Sequence, residues 1–297
     1  MSVSTPLEIL RLDPDGADRL LDRLERAVPV HPPFLALSSG IAEEAVVFGD
    51  SHGDWRSTLE AAGRFLDGAR ARYLVGLGDY VDRSPEDCPN GSVANALHLL
   101  SLAARFPDRV VLLQGNHETS RRVPVVPHTL PEEVDDLWGP DEERYQRIVA
   151  LLERGPLAAS TPNGAYLAHA GFPRRLTAPR WTESFDRLDE EGLCEVVWAE
   201  CEASRNRRGA ARPWGARDLE GFLATTGLRI LLRGHDPDIA GTPLYAGRCL
   251  TLHTTRIYER YGGVIVARVP VRSALGSVAD LRVEHLSTEG RSFPVLE

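Results

Sequence analysis

The 297-residue sequence predicts an α/β fold in which parallel strands alternate with helices. Three short polar motifs, which begin at Gly49, Gly78 and Gly115, each follow an apolar run typical of a buried strand. Successive motifs are separated by about 30 residues or slightly more, the length that a strand, a crossover helix and a second strand require. Because parallel strands end at the same edge of a sheet, we expect the three motifs to line one cleft.

The composition is that of a globular protein, with 42% apolar and 26% charged residues, and we expect a single domain over residues 1–297. The sequence has no apolar run of the ~18 residues that a membrane span needs, and Met1 to Thr5 leads into no signal-like segment. We therefore expect a cytoplasmic protein with no membrane partner. A net charge of −9 also disfavours nucleic-acid partners, which select a basic face. Four cysteines without CxxC spacing predict free thiols.

Hydrophobic periodicity predicts the elements along the chain. An amphipathic N-terminal helix at about residues 18–28 is expected to pack on the main body. The motif region is predicted to contain, in order, the strand Ala45–Phe48, the helix Trp55–Leu66, the strand Tyr73–Leu77, the helix Ala94–Phe106 and the strand Val110–Gln114. Later helices are predicted at Glu142–Arg154 and Asp218–Thr226, the second capped by Asp218, and later strands at Gly164–Ala168, Leu228–Leu232, Arg248–Leu252 and Gly263–Val269.

Two segments lack this periodicity. Residues 119–140 are rich in proline, arginine and acidic residues, and we predict an irregular lid or cap rather than core, which makes the segment a candidate for substrate contacts. The stretch Trp181 to Gly215 is also predicted to be irregular, and it carries a basic cluster of Arg205, Arg207, Arg208 and Arg212.

The motifs contain the side chains of a two-metal centre. Two divalent cations about 3.5–4 Å apart need a bridging carboxylate, for which Asp79 is the natural candidate. Asp50 and His52 are predicted to bind the first cation, because Gly49 and Gly53 permit a sharp turn after the strand. The second cation is assigned to Asn116, His169 and His235, which also follow predicted strands. This mixture of imidazole, carboxylate and amide suits manganese, iron or zinc better than calcium.

The remaining polar residues of the motifs suggest phosphoester chemistry. His117 follows a predicted ligand and therefore points elsewhere, so we assign it as the general acid that protonates a leaving-group oxygen. Asp82 is expected to orient the His117 ring. Arg83 and Arg208 are expected to bind phosphate oxygens with forked donors, although Arg205, Arg207 and Arg212 lie close enough in sequence to replace Arg208.

The chain resembles the phosphoprotein phosphatase (serine/threonine protein phosphatase) branch of the calcineurin-like metallophosphoesterases. The resemblance rests on GDSHG at Gly49, GDYVDR at Gly78, GNHE at Gly115, LAHAG around His169, LLRGH ending at His235 and RGAARPWG from Arg208. It implies an αββα sandwich with two mixed sheets face to face and helices outside. It also implies two divalent metal ions, an in-line attack by a metal-bridging hydroxide, and the roles given above, with Asn116 also near the phosphate and Tyr258 near the site.

The expected substrate is a phosphorylated protein or peptide, with small phosphoesters accepted in vitro. Several family segments are altered, including Trp198-Ala199-Glu200-Cys201 and Thr254 to Tyr258, and these changes leave the substrate preference open. Cleavage of dinucleoside polyphosphates such as diadenosine tetraphosphate is an alternative activity, and a non-catalytic phosphate-binding module is another. His253 is a weaker ligand candidate, whereas His31, His98, His128 and His285 are assigned no role.

Overall fold

A computed structural model describes residues 3–67, 72–176, 179–206 and 208–286. Its centre consists of two mixed sheets of five strands each. The β6 sheet has the order β1 (Phe34–Ala36), β5 (Ala158–Ser160), β6 (Ala165–Ala168), β7 (Ile230–Arg233) and β8 (Cys249–Thr251). The β2 sheet has the order β10 (Arg282–His285), β9 (Ile265–Pro270), β2 (Glu44–Phe48), β3 (Arg72–Gly76) and β4 (Val110–Leu112).

The two sheets pack face to face, and helices cover both outer faces. Alternate residues of one strand show this arrangement: Val47 packs between the sheets with Leu167 and Leu232, whereas Val46 faces the helices. The helices α2 to α6 cover the β2 sheet, and α7 and α8 cover the β6 sheet. The predicted αββα sandwich with two mixed sheets is therefore confirmed.

Eight α-helices occur in the described residues. They are α1 (Pro6–Ile9), α2 (Pro14–Ala27), α3 (Trp55–Leu66), α4 (Gly91–Arg105), α5 (Leu130–Trp138), α6 (Glu142–Leu152), α7 (Glu190–Val197) and α8 (Ala216–Thr226). None of these helices combines the length and apolar character that a membrane crossing requires. Cys88, Cys194, Cys201 and Cys249 are buried free thiols, as predicted.

The N-terminal helix α2 begins four residues before its predicted start at residue 18. Asp13 caps it by accepting a hydrogen bond from the Gly16 backbone N–H at 2.7 Å, and Pro14 occupies the first helical position. Asp218 is not the cap of α8, contrary to prediction. Gly215 is the cap, and its backbone N–H donates to the Asp218 carboxylate at 2.9 Å from within the first turn.

Both segments predicted to be irregular contain helices. Within residues 119–140, α5 buries Leu130, Val134 and Trp138 in the core beneath the β2 sheet, so the prediction of an irregular lid is wrong for this part. The stretch Trp181 to Gly215 contains a 3-10 helix at Trp181–Arg187 and then α7. In α5 the apolar residues Leu130, Val134, Leu137 and Trp138 do recur at helical spacing, but the surrounding prolines and acidic residues obscure this signal.

Strand direction brings the motifs together. In the β2 sheet, β2, β3 and β4 are parallel, and in the β6 sheet β6, β7 and β8 are parallel. The two sets of carboxyl ends meet where Asp50 forms an isolated parallel bridge with His253. Gly49 permits this approach, because a Cβ atom there would lie 1.8 Å from the Leu252 carbonyl oxygen. One cleft edge therefore receives loops from both sheets.

Candidate metal centre

All six predicted metal ligands are buried and lie at this shared edge of the two sheets. Asp50 and His52 follow β2, Asp79 follows β3 and Asn116 follows β4, whereas His169 follows β6 and His235 follows β7. Asp79 belongs to two groups of potential ligands, one with His52 and His117 and one with His169 and His235. The ligand atoms of each group lie within 4.8 Å of one another. This arrangement matches the position expected of a bridging carboxylate.

Backbone carbonyls orient two of the imidazole rings. His52 Nδ1 lies 3.0 Å from the Val81 carbonyl oxygen, and His169 Nδ1 lies 3.0 Å from the Leu77 carbonyl oxygen. Because a carbonyl oxygen can only accept, each Nδ1 carries the proton and donates it. In the neutral form of each ring, Nε2 is unprotonated and faces Asp79 Oδ2, at 3.7 Å for His52 and 3.4 Å for His169. This is the ring orientation that a metal-binding histidine requires.

Several acceptor atoms converge in the second group. His169 Nε2 lies 2.9 Å from Asn116 Oδ1, and His235 Nδ1 lies 3.1 Å from both of these atoms. With Asp79 Oδ2 also close to His169 Nε2, lone pairs face one another unless a proton or a cation lies among them. In the first group, His52 Nε2 is buried and has no hydrogen-bond partner. The donor set therefore fits two divalent cations that share Asp79.

Burial and mutual charge determine protonation in the cluster. Burial lowers the pKa of His52 to about 4, and burial together with the Arg208 guanidinium lowers the pKa of His235. Burial opposes ionisation of Asp79, but the positive charge of the protonated His169 ring outweighs it and holds the pKa of Asp79 well below the usual range. Burial lowers the pKa of His169, but Asp79 outweighs this and raises it to about 9. The carboxylate of Asp79 is thus ionised at neutral pH and available to a cation.

Glu118 connects the loops that carry the ligands, a role that the sequence motif alone does not reveal. Its carboxylate accepts hydrogen bonds from the backbone N–H groups of Asp79, Tyr80 and Gly115 at 2.7, 2.8 and 2.8 Å. Burial and the nearby Asp79 raise the pKa of Glu118 to about 7. The third motif thereby fixes the backbone of the second.

His117 and Asp82 form a buried pair beside this cluster. His117 Nδ1 lies 2.5 Å from Asp82 Oδ2, whereas His117 Nε2 has no hydrogen-bond partner and lies 3.9 Å from Asp79 Oδ2. The structure also brings His128 to the same carboxylate, with its Nδ1 3.1 Å from Asp82 Oδ2. From the sequence, His128 is assigned no role, whereas the structure places it in contact with Asp82. No spacing rule relates His128 to Asp82, so no sequence signal was available for this contact.

The two predicted phosphate-binding arginines lie near different members of the cluster. Arg83 donates to the Tyr258 hydroxyl at 3.1 Å, and the Tyr258 ring packs edge-on near the His52 ring. Arg208 Nη1 lies 2.9 Å from His235 Nε2. Because arginine can only donate, His235 accepts there and carries its proton on Nδ1, so a cation at Nδ1 requires Arg208 to withdraw from the ring.

The alternatives to Arg208 are placed differently. The backbone N–H of Arg205 donates to Asp238 at 2.6 Å, and the Arg212 carbonyl oxygen accepts from Arg174 at 2.9 Å; both residues are exposed. Arg207 lies outside the described residues. Among the described members of the basic cluster, Arg208 is therefore the one in contact with a predicted ligand.

His253 also lies against the cluster. Its Nε2 is 3.6 Å from Asp50 Oδ2, and both of its ring nitrogens are buried without a hydrogen-bond partner. Its position after β8 corresponds to that of His235 after β7 in the adjacent parallel strand. The strand-end location was the sequence signal that made it a candidate.

Comparison with known proteins gives a consistent relationship. The calcineurin-like phosphoesterase family matches residues 45–238, more than half of the chain. A PP2A-like serine/threonine-protein phosphatase PPG1 from Candida albicans is 27% identical over 257 residues, which cover 83% of this chain and 59% of that protein. A serine/threonine-protein phosphatase 4 catalytic subunit from Kluyveromyces lactis is 29% identical over 197 residues, covering 64% and 61%. The chain thus spans about three fifths of the length of these curated relatives.

Solved structures agree on the fold. A serine/threonine phosphatase from Saccharomyces cerevisiae, described as similar to human phosphatase PP5, superposes with a TM-score of 0.73 at 20% identity, covering 93% of this chain and 91% of that one. A cold-active protein tyrosine phosphatase superposes with a TM-score of 0.59 at 16% identity, covering 83% and 78%. With the family match over the motifs and the ligand cluster, these findings show that the chain belongs to the calcineurin-like phosphoesterase family.

Proposed function

We propose that this protein is a metal-dependent phosphomonoester hydrolase that removes phosphate from phosphoserine and phosphothreonine in proteins. The main support is the convergence of imidazole, amide and carboxylate acceptors on Asp79, directly beside the buried pair of His117 and Asp82. The sequence similarity to serine/threonine phosphatases supports the choice of substrate class.

Two cations would be held by Asp50, His52 and Asp79 on one side and by Asp79, Asn116, His169 and His235 on the other. When bound, they would polarise the phosphate and lower the pKa of a water molecule toward about 7, which provides a nucleophile at neutral pH. We propose manganese, and iron or zinc fits the same donors. Metal analysis of protein purified without added metal would distinguish these ions. The buried free thiols favour a reducing compartment, so we propose the cytoplasm.

The chain's own residues would handle the phosphate and the proton. Arg83, near His52, and Arg208, at His235, can each bind phosphate oxygens with two donors. His117 donates from Nδ1 to Asp82, which fixes the ring and leaves Nε2 without a hydrogen-bond partner, 3.9 Å from Asp79 Oδ2. A proton on Nε2 would pass to the leaving oxygen of the serine or threonine side chain as the phosphorus–oxygen bond breaks.

The test compares His117→Ala with the unchanged protein on two manganese-supported reactions. Loss of the acid should lower kcat on a phosphoserine peptide by about 10²–10⁴, because an alkoxide leaves poorly without a proton. The loss should be much smaller on p-nitrophenyl phosphate, whose leaving group needs no proton. Equal losses on both substrates would reject the acid role of His117.

Substrate class is tested with the same preparation. Phosphoserine, phosphothreonine and phosphotyrosine peptides and diadenosine tetraphosphate are compared at equal concentrations. We expect the highest kcat/KM on the phosphoserine and phosphothreonine peptides. Preferential cleavage of diadenosine tetraphosphate would replace the proposal with a nucleotide hydrolase. Peptide binding without phosphate release across pH 5 to about 9 would indicate a non-catalytic module, since this range covers the usual titration of a metal-bound water.

A further inference from the structure

The Asp82 carboxylate has more partners than the single imidazole that a general acid pair requires. Its Oδ2 lies 2.5 Å from His117 Nδ1 and 3.1 Å from His128 Nδ1. Its Oδ1 accepts from the backbone N–H groups of Thr129 at 2.6 Å and Leu130 at 3.0 Å, at the beginning of α5. Three of these four donors come from consecutive residues of one short segment.

The other side of the His128 ring is also fixed. His128 Nε2 lies 2.8 Å from the Tyr145 hydroxyl on α6, and the two rings pack edge to face with centroids 5.7 Å apart. Because the Asp82 carboxylate can only accept, His128 Nδ1 must carry a proton and donate it. In the neutral ring, Nε2 then accepts from the Tyr145 hydroxyl. The hydrogen bond to Asp82 raises the pKa of His128, which favours the same Nδ1 bond in the charged ring.

A continuous chain of contacts therefore runs from α6 to the cleft. Tyr145 orients His128, His128 and the start of α5 hold both oxygens of Asp82, and Asp82 orients His117. A carboxylate held at only one oxygen could rotate about its Cβ–Cγ bond and carry the attached imidazole with it. Holding both oxygens removes that freedom, and misplacement of a reacting group by about 1 Å can cost up to 10²-fold in rate.

We propose that His128 is a positioning residue for the general acid, acting through Asp82. This inference rests on the proposed function, in which His117 donates a proton. It gives the segment of residues 119–140 a role other than that of a lid. His128 and the start of α5 hold Asp82, which orients the general acid, and Tyr145 on α6 supports His128. The side chain of His128 is only about one-fifth exposed, and its two ring nitrogens contact Asp82 and Tyr145 rather than solvent.

The test uses two replacements of His128 and one of its support. His128→Phe keeps a ring but removes the donor, whereas His128→Asn keeps an N–H near the position of Nδ1. Tyr145→Phe removes only the hydroxyl that fixes the ring. His31→Phe is the matched control, because His31 is half-buried in the segment after α2 and lines a separate cleft with Leu151 and Leu152.

We expect His128→Phe to lower kcat on a phosphoserine peptide about 10-fold or more, with a change of less than about 3-fold on p-nitrophenyl phosphate. His128→Asn should recover most of the loss, Tyr145→Phe should give an intermediate selective loss, and His31→Phe should change neither reaction. Bound manganese, measured by elemental analysis, should remain the same in all variants. In zinc-loaded protein, which is diamagnetic, the ring N–H resonance of His117 should shift in His128→Phe, because its acceptor Asp82 loses a donor.

The outcomes separate the two proposals. A selective loss in His117→Ala with equal losses, or none, in His128→Phe overturns the role of His128 and leaves the proposed function intact. Equal losses in His117→Ala itself overturn the acid role on which this inference depends. If His128→Phe fails to fold, Tyr145→Phe and His128→Asn test the positioning role instead. An equal effect of Tyr145→Phe on both substrates then rejects that role.

Discussion

At the residue scale, the candidate site is built on backbone conformations that most residues avoid. His52, Asp79, Asp82, Arg83 and His235 all have positive φ angles, between 43° and 71°. Such conformations cost about 1–3 kcal/mol each and persist only where the surroundings enforce them. Here the Asp79 carbonyl oxygen accepts from the backbone N–H groups of Ser51 and His52 at 3.0 and 2.9 Å, so the first two motif loops hold each other. The ligand positions are therefore fixed before any cation binds.

Gly78 allows the second motif loop to approach the third, and its replacement should damage the site. Its φ of +101° would strain the backbone of any other residue, and a Cβ atom there would lie 2.4 Å from the Gly115 backbone nitrogen. We expect Gly78→Ala to lower the free energy of unfolding by about 2 kcal/mol or more, as measured by urea denaturation. Gly63→Ala is the matched control, because a Cβ atom at that helical position would meet no neighbouring atom within 4 Å. This replacement should raise the free energy of unfolding by about 0.5–1 kcal/mol. Equal stability of Gly78→Ala and the unchanged protein would contradict this account.

The sequence was sufficient to predict the ligand cluster but not its supporting residues. The motif residues could be predicted because each follows an apolar run, and strand ends converge in an α/β sheet. His128 and Glu118 act through contacts that depend on tertiary structure. His128 lies 46 residues from Asp82, and the two meet only because α5 folds back over the β3 loop.

At the element scale, tertiary packing determined the secondary structure of segments whose sequence patterns were weak. The helix α5 was missed because prolines and acidic residues obscure its apolar positions, yet three buried side chains anchor it. The helix α2 was predicted well, since its leucines recur at helical spacing and its opposite face is charged. The charged face of α2 contacts α6 through two ion pairs, Arg144 with Asp18 at 2.9 Å and Arg147 with Glu25 at 2.7 Å.

The ion pairs between α2 and α6 should contribute stability that depends on pH. The hydrogen bond from Arg147 lowers the pKa of Glu25 below its ordinary value. A carboxyl group whose pKa is lower in the folded state stabilises the fold above its unfolded pKa of about 4.3, and this contribution is lost as the pH falls through the folded value. Because Glu25 is about one-third exposed, solvent screening keeps the contribution small.

We expect Arg147→Met to lower the free energy of unfolding by about 0.5–1 kcal/mol at pH 7, and by much less near pH 3 or in about 1 M salt. Urea denaturation of chelator-treated protein measures this without a contribution from metal. Arg23→Met, at an exposed position on the partner helix α2, should have little effect at either pH. A loss of equal size at pH 7 and pH 3 would show that packing of the arginine stem, rather than charge, explains the effect.

At the scale of the whole molecule, the candidate metal centre lies at the junction between the two sheets. Asp50, Asp79 and Asn116 come from the β2 sheet, whereas His169 and His235 come from the β6 sheet. The alternation of strands and helices predicted the parallel arrangement within a sheet. The pairing of two sheets came from the family resemblance, since periodicity within one segment carries no information about which sheet a strand joins.

A cation shared by both sheets should stabilise the entire fold, because it binds the native state and not the unfolded chain. At a free metal concentration 100 times the Kd, one site adds about 2.7 kcal/mol, so we expect chelation to lower the Tm by about 5 °C or more. Asp79→Asn should weaken both sites and lose most of this response, while the exposed control Asp108→Asn should keep it. Differential scanning calorimetry with and without chelator measures the shift, and elemental analysis gives the metal content. A chelator response that is unchanged in Asp79→Asn would place the stabilising cation elsewhere and contradict the role of Asp79 as the bridge.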